Sequence, residues 1–381
     1  METGLDGLLR AVPADLAAAR VGLLTHAGGV GHRGAGTADL LAACPDLRLV
    51  RLFAPEHGLR GDRPAGVAIA DGIDAPTGLP VVSLYGRGSD APRLDDLDAI
   101  LVDLQDIGCR YFTYPATMRR LIGRAATAGV PVWVLDRPNP LGGEGAGAVG
   151  VPAALRSLVG AFDVPIRHGL TIGELALLAA GEEGLPEGAV RVLAVGGWRR
   201  TDAFPAWGRP WVPPSPNSTG PEMAELYPGT CLVEGTNLSE GRGTPYPFRQ
   251  IGAPWIDGAA LSRQLAPLLP PGIWARPVWF LPTASKHAGT VCQGVFFDLD
   301  PRVTRSADAG LVATVHLLAL VAEHPRLELI AHAGVHWLDR LTGSAALRES
   351  LGTLGVADIL AGWRRDAAAF DRQRPIDLYP G

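Results

Sequence analysis

Cysteine and lysine are both scarce in this sequence. The 381-residue chain has four cysteines, which are far apart and form no CxxC pair: Cys44, Cys109, Cys231 and Cys292. Their spacing excludes zinc-ribbon and thioredoxin-type motifs, and we expect buried free thiols in a reducing compartment. Lys286 is the only lysine in an arginine-rich chain, and we interpret this bias as genomic composition rather than function.

Long apolar runs and strong net charge are also absent. No run of roughly 18 uncharged apolar residues is present, so no membrane-spanning helix is predicted. The segment 1–20 contains Glu2, Asp6 and Asp15 and has no continuous apolar core, so it does not resemble a signal peptide. We therefore expect a cytoplasmic protein. The formal net charge of -5 gives no electrostatic reason to expect nucleic acid or an anionic membrane as a partner.

Apolar runs alternate with helical patterns through the first half of the chain. With 47% hydrophobic residues, the chain can bury a sizeable core. Strands are predicted near residues 21–24, 47–53, 79–84, 98–104, 130–135 and 190–195, and helices near 37–44, 115–128 and 172–180. This alternation is typical of an α/β fold with a doubly wound, mainly parallel sheet. After a proline-rich connector at 211–221, a second set of helices and strands predicts a smaller α+β domain.

Polar side chains follow three of the predicted strands. Glu56 comes directly after the second strand, and Asp103 and Asp106 end a later one. The strand that follows ends in Asp136, Arg137 and Asn139. Because ligands of open α/β sheets bind beyond the carboxyl ends of the strands, we expect these groups to open on one edge.

A glycine motif in the first loop supports a competing hypothesis. The segment Gly29-Val-Gly31-His-Arg-Gly34 is a formal GxGxxG, and Glu56 lies at roughly the distance of a ribose-binding acid. A nucleotide-dependent oxidoreductase would have these features, and stabilisation by NAD(P) would reveal it. The glycines are followed by more loop rather than by a helix, which weakens this hypothesis.

The densest polar run of the chain lies at 227–248. It contains two acids, Glu234 and Glu240, together with Asn237, Ser239 and Arg242. Its glycines would allow the backbone to approach a ligand closely. We therefore predict that this run contributes to a binding site.

Long motifs along the chain resemble one known family. They read FAPEHGLRG, VDLQDIGCRYFTY, VLDRPNPLGG, RHGLTIGELA, WVPPSPN, YPGTCLVEGTNLSEGRGTPYPFRQIGAPW and WLDRLTGSAALR. In this order they are similar to the bacterial exo-β-N-acetylmuramidases, over roughly residues 20–375. The resemblance implies a Rossmann-like catalytic domain (1–222), an auxiliary α+β domain (223–381) and an active site in the cleft between them. The first loop differs, because His26 stands in a segment where the family has an asparagine.

The resemblance also implies a reaction and a substrate. It implies hydrolysis of the terminal, non-reducing β-1,4-linked N-acetylmuramic acid (MurNAc) of peptidoglycan fragments, with Glu56 in the family's EHG motif as the proton donor. Glycoside hydrolysis needs a second group at the anomeric carbon, and Glu240, Glu234 and Asp103 are the candidates. The substrate's own acetamido group is a further possibility, with Asp103 or Asp106 orienting it.

Recognition of MurNAc requires a group that binds its lactyl carboxylate. A guanidinium suits a carboxylate, and Arg242, Arg110 and Arg137 are the candidates in that order. The remaining candidate substrate-binding residues are His57, Asp106, Tyr111, Asn139, Asn217, Glu234, Asn237 and Ser239. No metal-ligand spacing is evident and the reaction needs no cofactor. A protein that binds amino sugars or muropeptides without cleaving them remains an alternative.

Overall fold

The computed structural model describes residues 1–86, 92–353 and 355–379. In these residues the larger sheet has seven strands and is parallel except at one edge. The strands are β1 (Arg20–Thr25), β2 (Arg48–Ala54), β3 (Gly72–Ile73), β4 (Pro80–Ser83), β5 (Ala99–Asp103), β6 (Val132–Leu135) and β7 (Val190–Leu193). Their spatial order is β3-β4-β2-β1-β5-β6-β7. The strand order therefore reverses between β1 and β5, where Thr25 pairs with Asp103 at the carboxyl ends.

Both faces of this sheet are covered by helices, as a doubly wound fold requires. In β5, Ile100 and Val102 pack on one face while Ala99 and Leu101 pack on the other. Helices α1 (Gly4–Arg10) and α2 (Thr37–Ala42) cover the second face, and α3 (Thr113–Thr127) and α4 (Ile172–Glu182) cover the first. This arrangement explains why the central strands are almost continuously apolar.

The second half of the chain forms a smaller antiparallel sheet with its own helices. The sheet has the order β8-β10-β9, with β8 (Gln250–Ala253), β9 (Ile273–Phe280) and β10 (Cys292–Leu299). The helices are α5 (Pro221–Thr230), α6 (Gly258–Leu265), α7 (Ala309–Val321), α8 (Trp337–Thr342), α9 (Ala346–Ser350) and α10 (Val356–Arg372). A short hairpin, β11 (Ala331–His332) and β12 (Val335–His336), precedes α8. The predicted α/β class with a smaller α+β part is confirmed.

The connection between the two halves differs from the sequence-based prediction. The predicted polar run at 227–248 begins inside α5, which continues to Thr230 and is followed by a 3-10 helix at Cys231–Gly235. Pro228 lies inside α5, and a proline within a helical pattern normally indicates a helix end. The predicted domain boundary at 222/223 falls in the first turn of this helix and stays a prediction. No helix among the described residues is long and apolar enough to cross a membrane.

Candidate active site

A cleft of about 950 Å³ lies between the larger sheet and the second half of the chain. One wall contains Glu56 and His57, which follow β2. The other wall contains Glu234, Glu240 and Arg242 from the predicted polar run. The structure therefore places the two most distinctive predicted segments around one hollow. Asn217 of the connector and Tyr111, just before α3, also line it.

Glu56 is held at the end of β2 by hydrogen bonds to both carboxylate oxygens. Proline at position 55 follows the strand, which leaves Glu56 beyond the sheet edge. Its Oε1 accepts a 2.9 Å hydrogen bond from the backbone N–H of Gly66, and its Oε2 accepts a 2.8 Å bond from the Thr113 hydroxyl. These contacts fix the carboxyl group in the cleft wall.

The surroundings of Glu56 are partly buried and partly aromatic. Burial, followed by the nearby Glu56 carboxylate, raises the pKa of the Tyr85 hydroxyl to about 12. His57 adopts a left-handed backbone conformation with φ 70°, and its Nδ1 lies 3.0 Å from the carbonyl oxygen of Arg63. A left-handed histidine next to the acid is consistent with a wall shaped for a ligand, because such strain concentrates at functional sites.

The opposite wall is a network of two acids and two cations. Arg242 donates to Oε1 of Glu234 through Nη2 at 2.7 Å and Nε at 3.2 Å, and its Nε lies 3.3 Å from Oε1 of Glu240. The ammonium of Lys286 lies 3.0 Å from Oε2 of Glu240. Burial by itself would lower the pKa of Arg242, but the two carboxylates more than offset it and raise the pKa above its ordinary value. The guanidinium also lies over the ring of Phe248, 4.9 Å from its centroid.

Lys286 is the residue that sequence reasoning missed. Its unique occurrence was interpreted as a compositional effect, yet the structure places it in the cleft wall. Gly243 makes this possible, because a side chain there would approach the backbone nitrogen of Ala284 to 2.4 Å. Gly243 therefore admits the loop that carries Lys286 rather than a ligand. The single lysine among many arginines was the signal that could have identified it.

Asp103 and Arg137 lie outside the cleft, in a buried ion pair. The Nε of Arg137 is 2.5 Å from Oδ1 of Asp103, and its Nη2 is 2.8 Å from Oδ2. The Thr37 hydroxyl, at the start of α2, also donates to Oδ2. Because Asp103 is completely buried with both oxygens paired, we do not retain it as a catalytic group, nor Arg137 as the lactyl ligand.

The same pair disfavours the dinucleotide hypothesis. In a dinucleotide fold the pyrophosphate binds at the N-terminus of the helix that follows the glycine loop. Here that helix is α2, and its first residue, Thr37, contacts the Asp103 carboxylate instead. The start of α2 is therefore already occupied by the Asp103–Arg137 ion pair, where the phosphates would have to bind.

Three further predicted residues have structural roles away from the cleft. Asp106 accepts hydrogen bonds from the backbone N–H of Gly108 and from His168, at 2.6 and 2.9 Å. Arg110 donates to the carbonyl oxygens of three residues in three segments: Ala148, Val164 and Leu341. Asn139 is almost completely buried and its amide donates to the carbonyl oxygen of Leu170 at 2.9 Å. We no longer assign these three side chains to substrate binding, because their polar groups are directed into the fold.

Two residues of the polar run pair with the backbone instead of lining the cleft. Asn237 donates to the carbonyl oxygen of Arg326 at 2.8 Å and accepts from the N–H of Glu328 at 3.1 Å. The Ser239 hydroxyl is buried and accepts a 3.2 Å bond from the N–H of Gly241. Both residues order the run so that its acids and Arg242 line the cleft. Among the described residues, no group of three or more His, Cys, Asp or Glu side chains is arranged to hold a metal ion.

Comparisons with known proteins agree with this architecture. The Bacillus subtilis (strain 168) protein named peptidoglycan beta-N-acetylmuramidase NamZ is 37% identical over 382 residues, covering 98% of this chain and 90% of the relative. Two DUF1343 family proteins from Bacteroides fragilis have crystal structures of the same fold. The first has a TM-score of 0.84 at 31% identity, and the match covers 99% of this chain and 98% of that protein. The second has a TM-score of 0.77 at 27% identity, and the match covers 100% of this chain and 99% of that protein.

Family models match almost the whole chain. The one described as "Exo-beta-N-acetylmuramidase NamZ, N-terminal" matches residues 21–222, and the corresponding C-terminal one matches residues 225–379. Both matches cover the segments whose side chains line the cleft, including Glu56 in the first and Arg242 in the second. This chain therefore belongs to the exo-β-N-acetylmuramidase NamZ family.

Proposed function

We propose that this protein is an exo-acting glycoside hydrolase that releases the terminal, non-reducing β-1,4-linked MurNAc from peptidoglycan fragments. Membership of the family supports the reaction, and the cleft supports its location. The observation on which the proposal rests is that Glu56 lies across one hollow from Glu234, Glu240 and Arg242. The cytoplasmic location expected from the sequence stays a prediction.

In the proposed mechanism, Glu56 gives its proton to the glycosidic oxygen as the bond from that oxygen to the anomeric carbon breaks. The leaving saccharide departs with the proton, and positive charge develops on the sugar ring. Water finally adds to the anomeric carbon, and the proton that it loses passes to Glu56, directly or by way of the group that activates the water, which restores the acid. Thr113 is suited to assist this proton transfer. Its hydroxyl can donate to the ionised carboxylate of Glu56 and can accept from the protonated carboxyl group.

The second catalytic group is best sought among the acids of the opposite wall. Glu240 is almost completely buried, with one cation close to each of its oxygens. We therefore propose that Glu240 acts by holding Arg242 and Lys286 in place. Glu234 is more exposed, and we propose it as the group that activates water or stabilises the developing charge, unless the substrate's acetamido group does so.

Recognition of the lactyl carboxylate is assigned to Arg242 in this proposal. Of the three candidate arginines, it is the one that lines the cleft, since Arg110 and Arg137 are buried in contacts with the fold. Its side chain is held rigidly by Glu234 and by the ring of Phe248. A preorganised guanidinium loses little freedom when it binds a carboxylate.

The test compares hydrolysis of a chromogenic β-MurNAc glycoside with that of its β-GlcNAc counterpart. We expect turnover of the first, and a loss of about 100- to 10,000-fold in kcat for Glu56→Gln with MurNAc binding retained, as for removal of a general acid. Glu187→Gln, at an exposed position outside the cleft, is the control. Binding of MurNAc without product formation by the wild type would instead indicate a non-catalytic binding protein.

A further inference from the structure

Lys286 is exceptional both in the sequence and in the fold. It is the only lysine of the chain, whereas all other basic positions that can carry a permanent charge are arginine. It is also placed in the wall of the cleft, next to Glu240. A compositional bias against lysine acts at every position, so it does not explain the presence of a lysine at this one.

The loop that carries Lys286 is built to hold it in place. Ser285 and His287, its two neighbours, both have left-handed backbone conformations, with φ 66° and 56°. The ring of His287 lies 2.7 Å from the carbonyl oxygen of Asn237. The backbone N–H of Thr283 donates to Gly243 at 3.0 Å. Strained positions on both sides of one residue indicate that the surrounding contacts determine the direction of its side chain.

The ammonium group is only partly used by the protein. An ammonium has three N–H donors. In the described part of the chain, its partners are Oε2 of Glu240 at 3.0 Å and the carbonyl oxygen of Val233 at 3.1 Å. Of these two contacts, the one with Val233 is a hydrogen bond and the one with Glu240 is an ion pair, so at least one donor is available to a ligand. The side chain of Glu240 is 2% exposed, whereas those of Lys286 and Arg242 are 20% and 22% exposed, so the cations rather than the acid present themselves to the cleft.

We propose that Lys286 is a second ligand of the substrate's lactyl carboxylate, and that it forms with Arg242 a two-cation site bridged from behind by Glu240. This assignment rests on the proposed function, since it takes MurNAc as the sugar in the cleft. Arg242 and Lys286 approach Oε1 and Oε2 of the same carboxyl group, which sets them side by side. A carboxylate between them would receive donors from both.

An ammonium suits this place better than a second guanidinium. Its compact charge can approach Glu240, Val233 and a ligand oxygen in three directions, whereas a guanidinium directs its donors in one plane. Two planar groups around one carboxylate would also compete for the same bidentate geometry. This geometry accounts for a lysine rather than an arginine at position 286.

The test is a thermodynamic cycle between two ligands and two proteins. MurNAc and its lactyl methyl ester, which lacks the charge, are titrated by calorimetry into the wild type and Lys286→Gln. Glutamine removes the charge and keeps a polar side chain of similar length, and Arg242 remains beside Glu240 as its cation. We expect the variant to lose about ten- to hundredfold in affinity for MurNAc, as for a hydrogen bond to a charged group, and less than about threefold for the ester.

Two further measurements complete the design. Since the chain has one lysine, an amine-directed reagent modifies only this side chain and the N-terminus, and saturating MurNAc should protect Lys286 while the ester does not. Thr290→Ala, at an exposed position of the same loop, should behave as the wild type in all assays.

The outcomes separate the two proposals. Equal losses for acid and ester in Lys286→Gln, or no loss for either, would overturn the role of Lys286 while leaving the glycosidase proposal intact. Failure of the wild type to hydrolyse any β-MurNAc glycoside would overturn the proposed function. Melting temperatures within about 2 °C of the wild type would show that the variant is folded.

Discussion

The hydroxyl of Thr113 donates a 2.8 Å hydrogen bond to Oε2 of Glu56, and it thereby joins the first residue of α3 to the acid beyond β2. The other oxygen, Oε1, faces the backbone N–H of Gly66, which can only donate. A hydroxyl can reverse its direction, so Oε2 is the oxygen that can carry a proton without losing its partner. The geometry therefore distinguishes the two oxygens of the proposed acid.

Thr113→Val should reduce turnover while leaving substrate binding nearly unchanged. The variant removes a partner of Glu56 Oε2 that fits both protonation states, and a hydrogen bond to a charged group corresponds to about ten- to hundredfold in kcat. Thr113→Ser keeps the hydroxyl and should retain most of the activity. Steady-state kinetics on a β-MurNAc glycoside checks this. A serine variant as impaired as the valine variant would show that packing, not the hydroxyl, matters.

Arg242→Lys should weaken the discrimination between β-MurNAc and β-GlcNAc glycosides by about tenfold or more. The guanidinium donates to Glu234 through two nitrogens, and a lysine cannot reproduce that bidentate contact or the position over Phe248. The measurement is the ratio of kcat/KM for the two substrates. Arg263→Lys, an exposed position of α6, is the control. Equal losses on both substrates would argue against recognition of the lactyl group by Arg242.

Asp103→Asn should lower stability rather than remove catalysis. The substitution leaves Arg137 buried beside a neutral partner, and breaking a buried ion pair in this way costs about 3–5 kcal/mol of unfolding free energy. The fraction that remains folded should turn over substrate at a rate close to that of the wild type. Urea unfolding with active-site titration of the folded fraction tests this. The exposed substitution Asp366→Asn should change neither quantity. A stable but inactive Asp103→Asn protein would return Asp103 to the mechanism.

Much of the sheet could be predicted from the sequence. The strand Ala99–Asp103 is buried along its whole length, so its apolar run indicates a central strand directly. The Ser/Thr-x-x-Glu pattern at Thr171 and Glu174 forms a capping box at the start of α4, where the sequence predicts a helix. In both cases the signal is local, since a few neighbouring residues determine the structure.

The candidate site could be predicted only in part, because its geometry depends on contacts between distant segments. The sequence places Asp103 and Arg137 at the same sheet edge, but it does not reveal that they neutralise each other there. Lys286 reaches Glu240 from a loop 46 residues further along the chain, by way of a close approach at Gly243. Neither a periodic pattern nor a sequence motif predicts such a contact between distant segments.

His26 connects three segments at the point where the strand order reverses. It follows β1, its Nε2 accepts a 2.9 Å hydrogen bond from the backbone N–H of Gln105, and its Nδ1 lies 3.0 Å from the carbonyl oxygen of Pro214. These contacts fit a neutral ring that carries its proton on Nδ1. The departure from the family's asparagine in this loop is therefore accommodated by a buried ring rather than by a cleft residue.

The buried ring of His26 predicts a specific dependence of stability on pH. Burial lowers its pKa to about 3, against an ordinary value of 6.5, so the folded protein keeps the ring neutral while the unfolded chain takes up a proton. Unfolding free energy should therefore fall as the pH drops from about 6.5 towards 3, by about 1.4 kcal/mol per pH unit from this group. Denaturant unfolding of the wild type and His26→Gln from pH 7.5 to 4.5 measures it: the variant is less stable at pH 7.5, and the difference should shrink with acidity. His32→Gln removes an exposed histidine, and its unfolding free energy should depend on pH in the same way as that of the wild type. A constant difference between His26→Gln and the wild type would contradict this prediction, because the pKa of His26 would then be the same in the folded and unfolded states.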